Sequence, residues 1–217
     1  MKHLALCISL LLSINVFSQG TVVLNDKPFE AQRKPDTAVY NNLSRQPLFN
    51  ALDKSERELL YWVNLMRKDP MAFKNNYVLP FLDQFPEAQS SESKSLIRRL
   101  SSLPALSQLT LSPVLVGTAG DHANYLADKK VISHTGRGGK GFGARMAEAG
   151  VTGCGGENIF DGQDDGLMVL VLLLIDTGVP GTGHREALLN PEFSTTGIGV
   201  ARMDSRRVVF VQQFGCN

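Results

Sequence analysis

The clearest hydrophobic pattern in the chain predicts an amphipathic helix over residues 53–70. Asp53 and Glu56 have the acid-x-x-Glu spacing of a capping box, which satisfies free backbone N–H groups of a first turn. The apolar positions that follow recur at helical spacing and would form one buried face: Leu59, Leu60, Trp62, Val63 and Met66. Pro70 cannot continue a helix, so the helix ends there.

Other apolar segments predict further helices. Ser112 followed by Pro113 is a favourable helix start, and the pattern continues to about Lys130. Shorter helices are predicted near residues 96–103 and 144–149. Residues 167–175 are nine consecutive apolar residues, which is too short for a bilayer span and typical of a core helix.

The end of the chain has the pattern of a β-hairpin. Two runs rich in β-branched and aromatic residues, 195–203 and 207–214, are joined by the polar residues 204–206. Because helices come first and strands last, the fold class is predicted to be α+β. Residues 19–50 show neither a helical nor a strand period and are predicted to form an extended N-terminal arm. Residues 70–110 are predicted to form several short structural elements.

The first 18 residues predict a secretory signal peptide. Lys2 and His3 precede a short apolar run, and small residues end at a cleavage site after Ser18. The mature chain would begin at residue 19 and would be secreted or periplasmic. No segment predicts a membrane span.

The amino-acid composition excludes some classes of protein but does not indicate a binding partner. The 217 residues are 43% hydrophobic and 20% charged, which suits one folded domain and excludes a disordered chain. The formal net charge is +1, and it falls to zero when Lys2 leaves with the signal peptide. Nucleic-acid binders normally carry a basic face, so no nucleic-acid partner is expected.

Export also bears on the cysteines. Cys7 leaves with the signal peptide, and Cys154 and Cys216 remain. Two cysteines in an oxidising compartment most simply form one disulfide, which would be worth roughly 4 kcal/mol in the chain-entropy model. Two buried free thiols, or half of a metal site, are the alternatives.

The histidines carry the chemical signal. His134 lies in Ser-His-Thr-Gly just after a predicted helix, and His184 lies in Gly-His-Arg-Glu at the start of another. Glu157 lies between them, in Gly-Glu-Asn-Ile. Two imidazoles and a carboxylate that met in one cleft would suit a divalent metal such as zinc. The same groups could transfer protons instead.

These motifs, in this order, resemble the CAP superfamily, which groups cysteine-rich secretory proteins, antigen 5 and pathogenesis-related proteins. The resemblance extends over residues 55–215, is closest to the bacterial secreted branch, and also rests on residues 197–200 and 209–215. Its further elements are Asn64-x-x-Arg67 and Asn190-Pro-x-Phe193. It implies a three-layer α-β-α sandwich, with residues 51–217 as the CAP domain.

The resemblance also implies a central cleft lined by two histidines and two acids. His134, Glu157 and His184 match three of these positions. Asp176 is the nearest candidate for the second acid, and its shorter side chain would draw that carboxylate back from the cleft. Some members bind zinc through the histidines, which would be His134 and His184 here. His122, on the second long helix, is predicted to be a surface residue.

Three functional hypotheses follow. Members of the superfamily are linked to lipid binding, to cell-surface interactions and, in some cases, to proteolysis. Because no serine or cysteine nucleophile accompanies the histidines, a non-catalytic binding domain for a metal, lipid or other small ligand is favoured. The second hypothesis is a zinc-dependent peptidase or esterase in which His134 and His184 hold zinc and Glu157 activates water. The third is a structural or interaction protein with a vestigial cleft that acts through its own surface. The expected partner is a lipid or a cell-surface component.

Overall fold

A computed structural model describes Leu24 and residues 27–216. The predicted signal peptide lies outside the described residues and stays a prediction. Ten α-helices and four strands follow in chain order: α1 Thr37–Ser44, α2 Pro47–Ala51, α3 Lys54–Lys68, α4 Pro70–Phe73, α5 Leu79–Gln84, α6 Ser91–Ser102, β1 Thr110–Leu111, α7 Pro113–Lys129, α8 Phe142–Glu148, β2 Gly155–Gly162, α9 Gly166–Ile175, α10 Gly183–Leu188, β3 Thr195–Arg202 and β4 Val208–Gly215. A π-helical turn at Lys74–Val78 and short 3₁₀ turns complete the described part.

The predicted helix starts are confirmed by their caps. The Asp53 carboxylate accepts from the Glu56 N–H at 2.8 Å, and the Glu56 carboxylate accepts from the Asp53 N–H at 2.9 Å. Ser112 accepts from the N–H of Leu115 at the start of α7, which ends at Lys130 in the left-handed region. The helix predicted at 96–103 begins earlier, at Ser91, because the side chain of Ser90 caps its N-terminus.

The four strands form one sheet in the order β1-β3-β4-β2. β3 and β4 pair as the predicted antiparallel hairpin, and β2 pairs antiparallel with β4 along its whole length. The two-residue β1 pairs parallel with β3. β2 is therefore an edge strand, with side chains reaching both faces of the sheet.

Helices cover both faces of this sheet, which confirms the α+β class and the α-β-α sandwich. On one face α7 packs Ala123 and Leu126 against Ile159 and Val211. On the other face Phe210 and Phe214 belong to a larger core that includes α3 and α9. Alternate residues of β4 belong to the two cores, as the period of a strand requires.

The extended arm predicted for residues 19–50 is wrong where α1 and α2 form, at residues 37–44 and from residue 47 onward. Asp36 caps α1 by accepting from the N–H of Val39 at 3.0 Å. Val39, Leu43 and Phe49 are buried in the larger core together with α3. Each helix is so short that its apolar stripe gives little periodic signal, and packing on α3 stabilises it. Residues 27–36 form neither helix nor strand.

The apolar segment predicted to be a core helix is α9. Every residue of α9 except Leu172 is buried. In the described part of the chain, no single helix has the length and apolar character of a membrane span; α9 with residues 180–188 passes that test only as a pair bent by 116°.

The predicted disulfide joins Cys154 to Cys216 across 62 positions of sequence. Cys154 immediately precedes β2 and Cys216 follows β4, so the bridge fastens the two strands where their paired ends meet. The two alternatives, free thiols and a half metal site, are thereby excluded for this form of the chain.

Candidate functional site

Glu157 is the centre of a buried polar cluster. It lies on β2 on the face covered by α7, and its side chain is only 1% exposed. One carboxylate oxygen accepts from His134 Nδ1 at 2.9 Å. The other accepts from Gln213 Nε2 at 2.9 Å and from an Arg145 Nη2. Gln213 is the residue opposite Glu157 on β4, so the strand register sets this contact.

The cluster keeps the carboxylate ionised. Burial alone would raise the pKa of Glu157, but the hydrogen bonds from His134, Arg145 and Gln213 outweigh it and hold the pKa below its ordinary value of 4.5. A buried charge is tolerated only when it is paired and hydrogen-bonded, and both oxygens here meet that condition.

His134 connects this cluster to solvent. It follows α7 in the loop, its side chain is 50% exposed, and Arg145 donates to its carbonyl oxygen at 2.6 Å. A carboxylate accepts and does not donate, so Nδ1 carries the proton of the contact with Glu157. In the neutral ring, Nε2 then keeps its lone pair for another ligand.

His184 has a carboxylate partner of its own, Asp176. His184 Nδ1 lies 2.7 Å from one Asp176 oxygen, and the other oxygen accepts from the backbone N–H of His184 at 2.9 Å and of Arg185 at 3.3 Å. Asp176 is 3% exposed and ends α9 in the left-handed region, with φ of 59°. Its carboxylate therefore supports His184 and the first turn of α10.

The two histidine–carboxylate pairs contact consecutive residues of the edge strand β2. Glu157 faces the α7 side, and the next residue, Asn158, faces the other side and donates to the carbonyl oxygen of His184 at 3.1 Å. Among the described residues, the one set of three potential ligands within 4.8 Å of each other is Cys154, Glu192 and Cys216, and its two sulfurs form the disulfide. The predicted residues thus form two pairs beside an edge strand and no compact three-ligand cluster.

His122 is not the predicted surface residue. It is 2% exposed, and its Nε2 lies 2.9 Å from the carbonyl oxygen of Ser133. Burial lowers its pKa more than the nearby Glu157 carboxylate raises it. The signal was available in the sequence, since His122 lies three residues after Ala119 and four before Leu126, on the buried stripe of α7.

Two members of the Glu157 cluster, Arg145 and Gln213, were missed by sequence reasoning. Gln213 continues the alternation of Val209 and Val211 on the face that α7 covers, and a polar residue at such an inward position is a usable signal. No local pattern distinguishes Arg145 from the other basic residues of the chain.

Comparison with known proteins gives a family and a set of similar folds. A family model described as the cysteine-rich secretory protein family, CAP, matches residues 96–214. Comparison with curated proteins gives no match. Among solved structures, an extracellular protein containing an SCP domain from Bacillus anthracis str. Ames is 26% identical with a TM-score of 0.41, and the alignment covers 58% of this chain and 38% of that one.

Two further solved structures are similar at lower identity. An outer surface protein from Borrelia burgdorferi is 22% identical with a TM-score of 0.45, over 58% of this chain and 89% of that one. NaASP2, crystallised with Zn²⁺, is 18% identical with a TM-score of 0.43, over 76% of this chain and 82% of that one.

Proposed function

This chain belongs to the cysteine-rich secretory protein (CAP) family, and on that premise we propose that it is a secreted, non-catalytic binding protein whose cleft beside β2 binds a divalent metal such as zinc through His134 and His184. The observation that carries the proposal is the shared arrangement of the two histidines. Each one directs Nδ1 at a buried carboxylate and keeps Nε2 for a ligand.

This arrangement fits the chemistry of a metal site. Metal-binding histidines almost always donate their second ring N–H to a carboxylate or carbonyl, which fixes the tautomer and orients the ring. Glu157 and Asp176 would be those supporting groups, and the imidazoles would be the ligands. Both rings reach solvent, with side-chain exposures of 50% for His134 and 16% for His184. Zinc accepts nitrogen ligands and leaves other positions to water or a bound molecule.

The engagement of Glu157 favours binding over hydrolysis. A general base in a zinc hydrolase must reach the metal-bound water. Here both carboxylate oxygens hold hydrogen bonds from His134, Arg145 and Gln213, and the side chain is almost fully buried. Releasing the carboxylate would leave the guanidinium of Arg145, whose side chain is 13% exposed, without its charged partner, which is costly.

Secretion is supported by the disulfide together with the sequence of the first 18 residues. A bridge between Cys154 and Cys216 persists in oxidising compartments and is rare in the cytosol. The first 18 residues have the charge, apolar run and small-residue ending of a signal peptide. A periplasmic destination is compatible with the same two observations.

The test is zinc titration by calorimetry of the purified chain and of the His134→Ala/His184→Ala double variant. We expect one site in the wild-type chain and loss of binding in the double variant. His122→Gln is the matched control, because His122 is neither proposed ligand, although its Nε2 lies 4.0 Å from the Glu157 oxygen that accepts from His134. Once far-ultraviolet dichroism has shown that this variant is folded, it should bind zinc as the wild type does.

Two outcomes would contradict the proposal. If the wild-type chain binds no zinc, while His184→Ala lowers its melting temperature, the histidines are structural, as the vestigial-cleft hypothesis requires. If a panel of peptides and esters is turned over, and chelation and Glu157→Gln both abolish turnover, the protein is a hydrolase.

A further inference from the structure

Three potential metal ligands lie together at the disulfide end of the sheet: Cys154, Glu192 and Cys216. The ligand atoms of the three residues all lie within 4.8 Å of one another. In the oxidised chain the two sulfurs are bonded to each other, so neither is a thiolate, which is the form of cysteine that binds metals. The three residues belong to neither histidine–carboxylate pair, so their chemistry is separate from that of the zinc ligands proposed above.

The main chain holds the two cysteines side by side even without the bridge. Cys154 immediately precedes β2, Cys216 immediately follows β4, and these two strands are paired along their whole length. The N–H of Cys216 donates to the carbonyl oxygen of Cys154 at 3.4 Å, and their Cα atoms are 5.6 Å apart. This separation is close to the roughly 5.5 Å of an ordinary hydrogen-bonded antiparallel pair. We therefore expect the two sulfurs to remain neighbours after reduction.

The position of Glu192 is also fixed by contacts other than the bridge. Its N–H donates to the side-chain oxygen of Asn190 at 2.9 Å. The next residue, Phe193, is 5% exposed and stacks on Phe214 with the ring centroids 5.3 Å apart. The carbonyl oxygen of Phe193 accepts from Arg67 at 2.9 Å. The main chain is therefore anchored on both sides of Glu192, while the residue itself is exposed.

The carboxylate of Glu192 is available to a metal. Among the residues that the structure describes, no hydrogen bond or ion pair engages its oxygens. Two thiolates and a carboxylate are a suitable donor set for zinc, which accepts sulfur, nitrogen and oxygen ligands at tetrahedral positions. Thiolates are soft ligands and select zinc over calcium or magnesium. Three protein ligands would leave the fourth position to water.

A reductant can reach the bridge at Cys154. This residue is exposed, and its neighbours Gly153 and Gly155 are exposed and carry no side chain that could cover the sulfur. Disulfides open by attack of a thiolate on one of the two sulfurs, so access to the attacked sulfur limits the reaction. Exposed bridges are accordingly the ones that are readily reduced.

We propose that the reduced chain binds one thiophilic divalent metal ion, such as zinc, through Cys154, Cys216 and Glu192. A dithiol reductant opens the bridge: two electrons and two protons pass to the two sulfurs, and the dithiol becomes a disulfide. Metal binding then displaces the two thiol protons, so the ion gains two thiolates and one carboxylate. Because the same sulfurs form the bridge, the disulfide and the metal site exclude each other.

The test is a titration of the full chain with Cd²⁺, a thiophilic stand-in for zinc, followed by ultraviolet absorption. The chain is first reduced with a phosphine, which is removed under nitrogen before the metal is added. A sulfur-to-cadmium charge-transfer band arises only when thiolates bind the ion, so binding by histidines does not produce it. We expect the band to saturate at one ion per reduced chain and to be absent from the oxidised chain. Far-ultraviolet dichroism shows that the reduced chain is folded.

A pair of glutamate variants tests the third ligand. Glu192→Gln replaces the carboxylate with a neutral amide and should weaken cadmium binding by the reduced chain by about tenfold or more. Glu186→Gln, at another exposed acid in α10, is the matched control and should bind cadmium as the wild type does. Both variants should form the disulfide normally, because neither residue belongs to the bridge.

The inference is overturned if the reduced chain shows no charge-transfer band, or if it unfolds on reduction and cadmium does not restore the fold. Equal affinity of Glu192→Gln and the wild type would also overturn it, because the thiolates alone would then bind the ion. Saturation at half an ion per chain, with dimers detected by light scattering, would show that two chains share one ion and would overturn it as well. Failure of the histidine zinc site changes none of these outcomes, since that site contributes no sulfur.

Discussion

Glu157 shows how one buried residue depends on partners from three separate parts of the chain. His134 comes from the loop after α7, Arg145 from α8 and Gln213 from β4. These contacts keep an ionised carboxylate in a place where burial alone would favour the neutral acid. The residue therefore acts both as a support for His134 and as the counter-charge of Arg145.

Replacing Glu157 with alanine is expected to lower the free energy of unfolding by about 3 kcal/mol, because Arg145, whose side chain is 13% exposed, loses its counter-charge. Glu157→Gln keeps the shape and one acceptor, so it should cost less. Urea denaturation at neutral pH measures both variants. Glu192→Gln, at an exposed acid, is the control, and equal stability of Glu157→Ala and wild type would contradict the assignment.

His122 gives the chain a pH dependence with a definite sign. Its pKa in the folded chain is below the ordinary value of 6.5, so the unfolded chain binds the proton more readily. The free energy of unfolding should therefore be fully retained above about pH 6.5 and decline as the pH falls below it.

The measurement is urea denaturation of the wild type and of His122→Gln at intervals from pH 7.5 to pH 5. The variant lacks the titrating ring and should lose stability less steeply in the range just below pH 6.5. Parallel curves for the two proteins would show that His122 does not titrate in this way.

At the scale of elements, the contact between α7 and β3 determines how one helical layer sits on the sheet. Gly197 and Gly199 of β3 face the backbone of α7 directly. A Cβ on Gly197 would lie 2.0 Å from the Leu115 carbonyl carbon, and one on Gly199 would lie 2.4 Å from the Gly120 nitrogen. The absence of side chains at these two positions lets the helix and the strand approach this closely.

Gly197→Ala is expected to destabilise the chain by about 3 kcal/mol or more, the upper end of the cost of overpacking, because the clash is with backbone that cannot rotate away. Gly117→Ala, on the exposed face of α7 with nothing within 4 Å, is the matched control. It should raise stability by up to about 1 kcal/mol through helix propensity. Thermal unfolding of both variants checks the prediction, and an unchanged melting temperature for Gly197→Ala would refute it.

Across the whole molecule, hydrogen bonds from Arg67 connect α3 to the last third of the chain. Arg67 is 0% exposed on α3, and its guanidinium donates to four carbonyl oxygens, at distances of 2.8 to 3.1 Å: Ser107, Leu188, Asn190 and Phe193. Arg185 has a similar role, with donations to Glu92, Leu174 and Ile175. The contacts of Arg67 with Leu188, Asn190 and Phe193 span 121 to 126 positions of sequence, and that of Arg185 with Glu92 spans 93.

Because the hydrogen bonds of Arg67 and Arg185 join distant segments of the described chain, we expect the protein to unfold in one cooperative transition. Far-ultraviolet dichroism and Trp62 fluorescence should then report the same midpoint. Arg67→Met should lower the free energy of unfolding by about 3–5 kcal/mol, since several buried carbonyls lose their donor. Arg98→Met, at an exposed arginine of α6, should leave it nearly unchanged. Separate transitions for the two signals would contradict cooperative unfolding of the described chain as one unit.

The features that depend on neighbouring residues could be predicted from the amino-acid sequence alone. Caps and helical spacing located α3 and α7, alternation and a polar turn located the β3–β4 hairpin, and an even pair of cysteines indicated the disulfide. The order of the motifs around His134, Glu157 and His184 indicated the family. Each of these signals is local because caps, turns and periodicity are satisfied within a few residues.

Which side chains contact each other became known only from the folded chain. Strand register brought Gln213 to Glu157, α8 brought Arg145, and the end of α9 gave His184 its own carboxylate in Asp176. Packing also buried His122 and folded residues 37–51 into helices that their short apolar patterns did not announce. The free energy of such contacts comes from burial and charge pairing between segments that are far apart in the sequence. A local sequence pattern does not indicate which distant segments will come together, so it cannot predict these contacts.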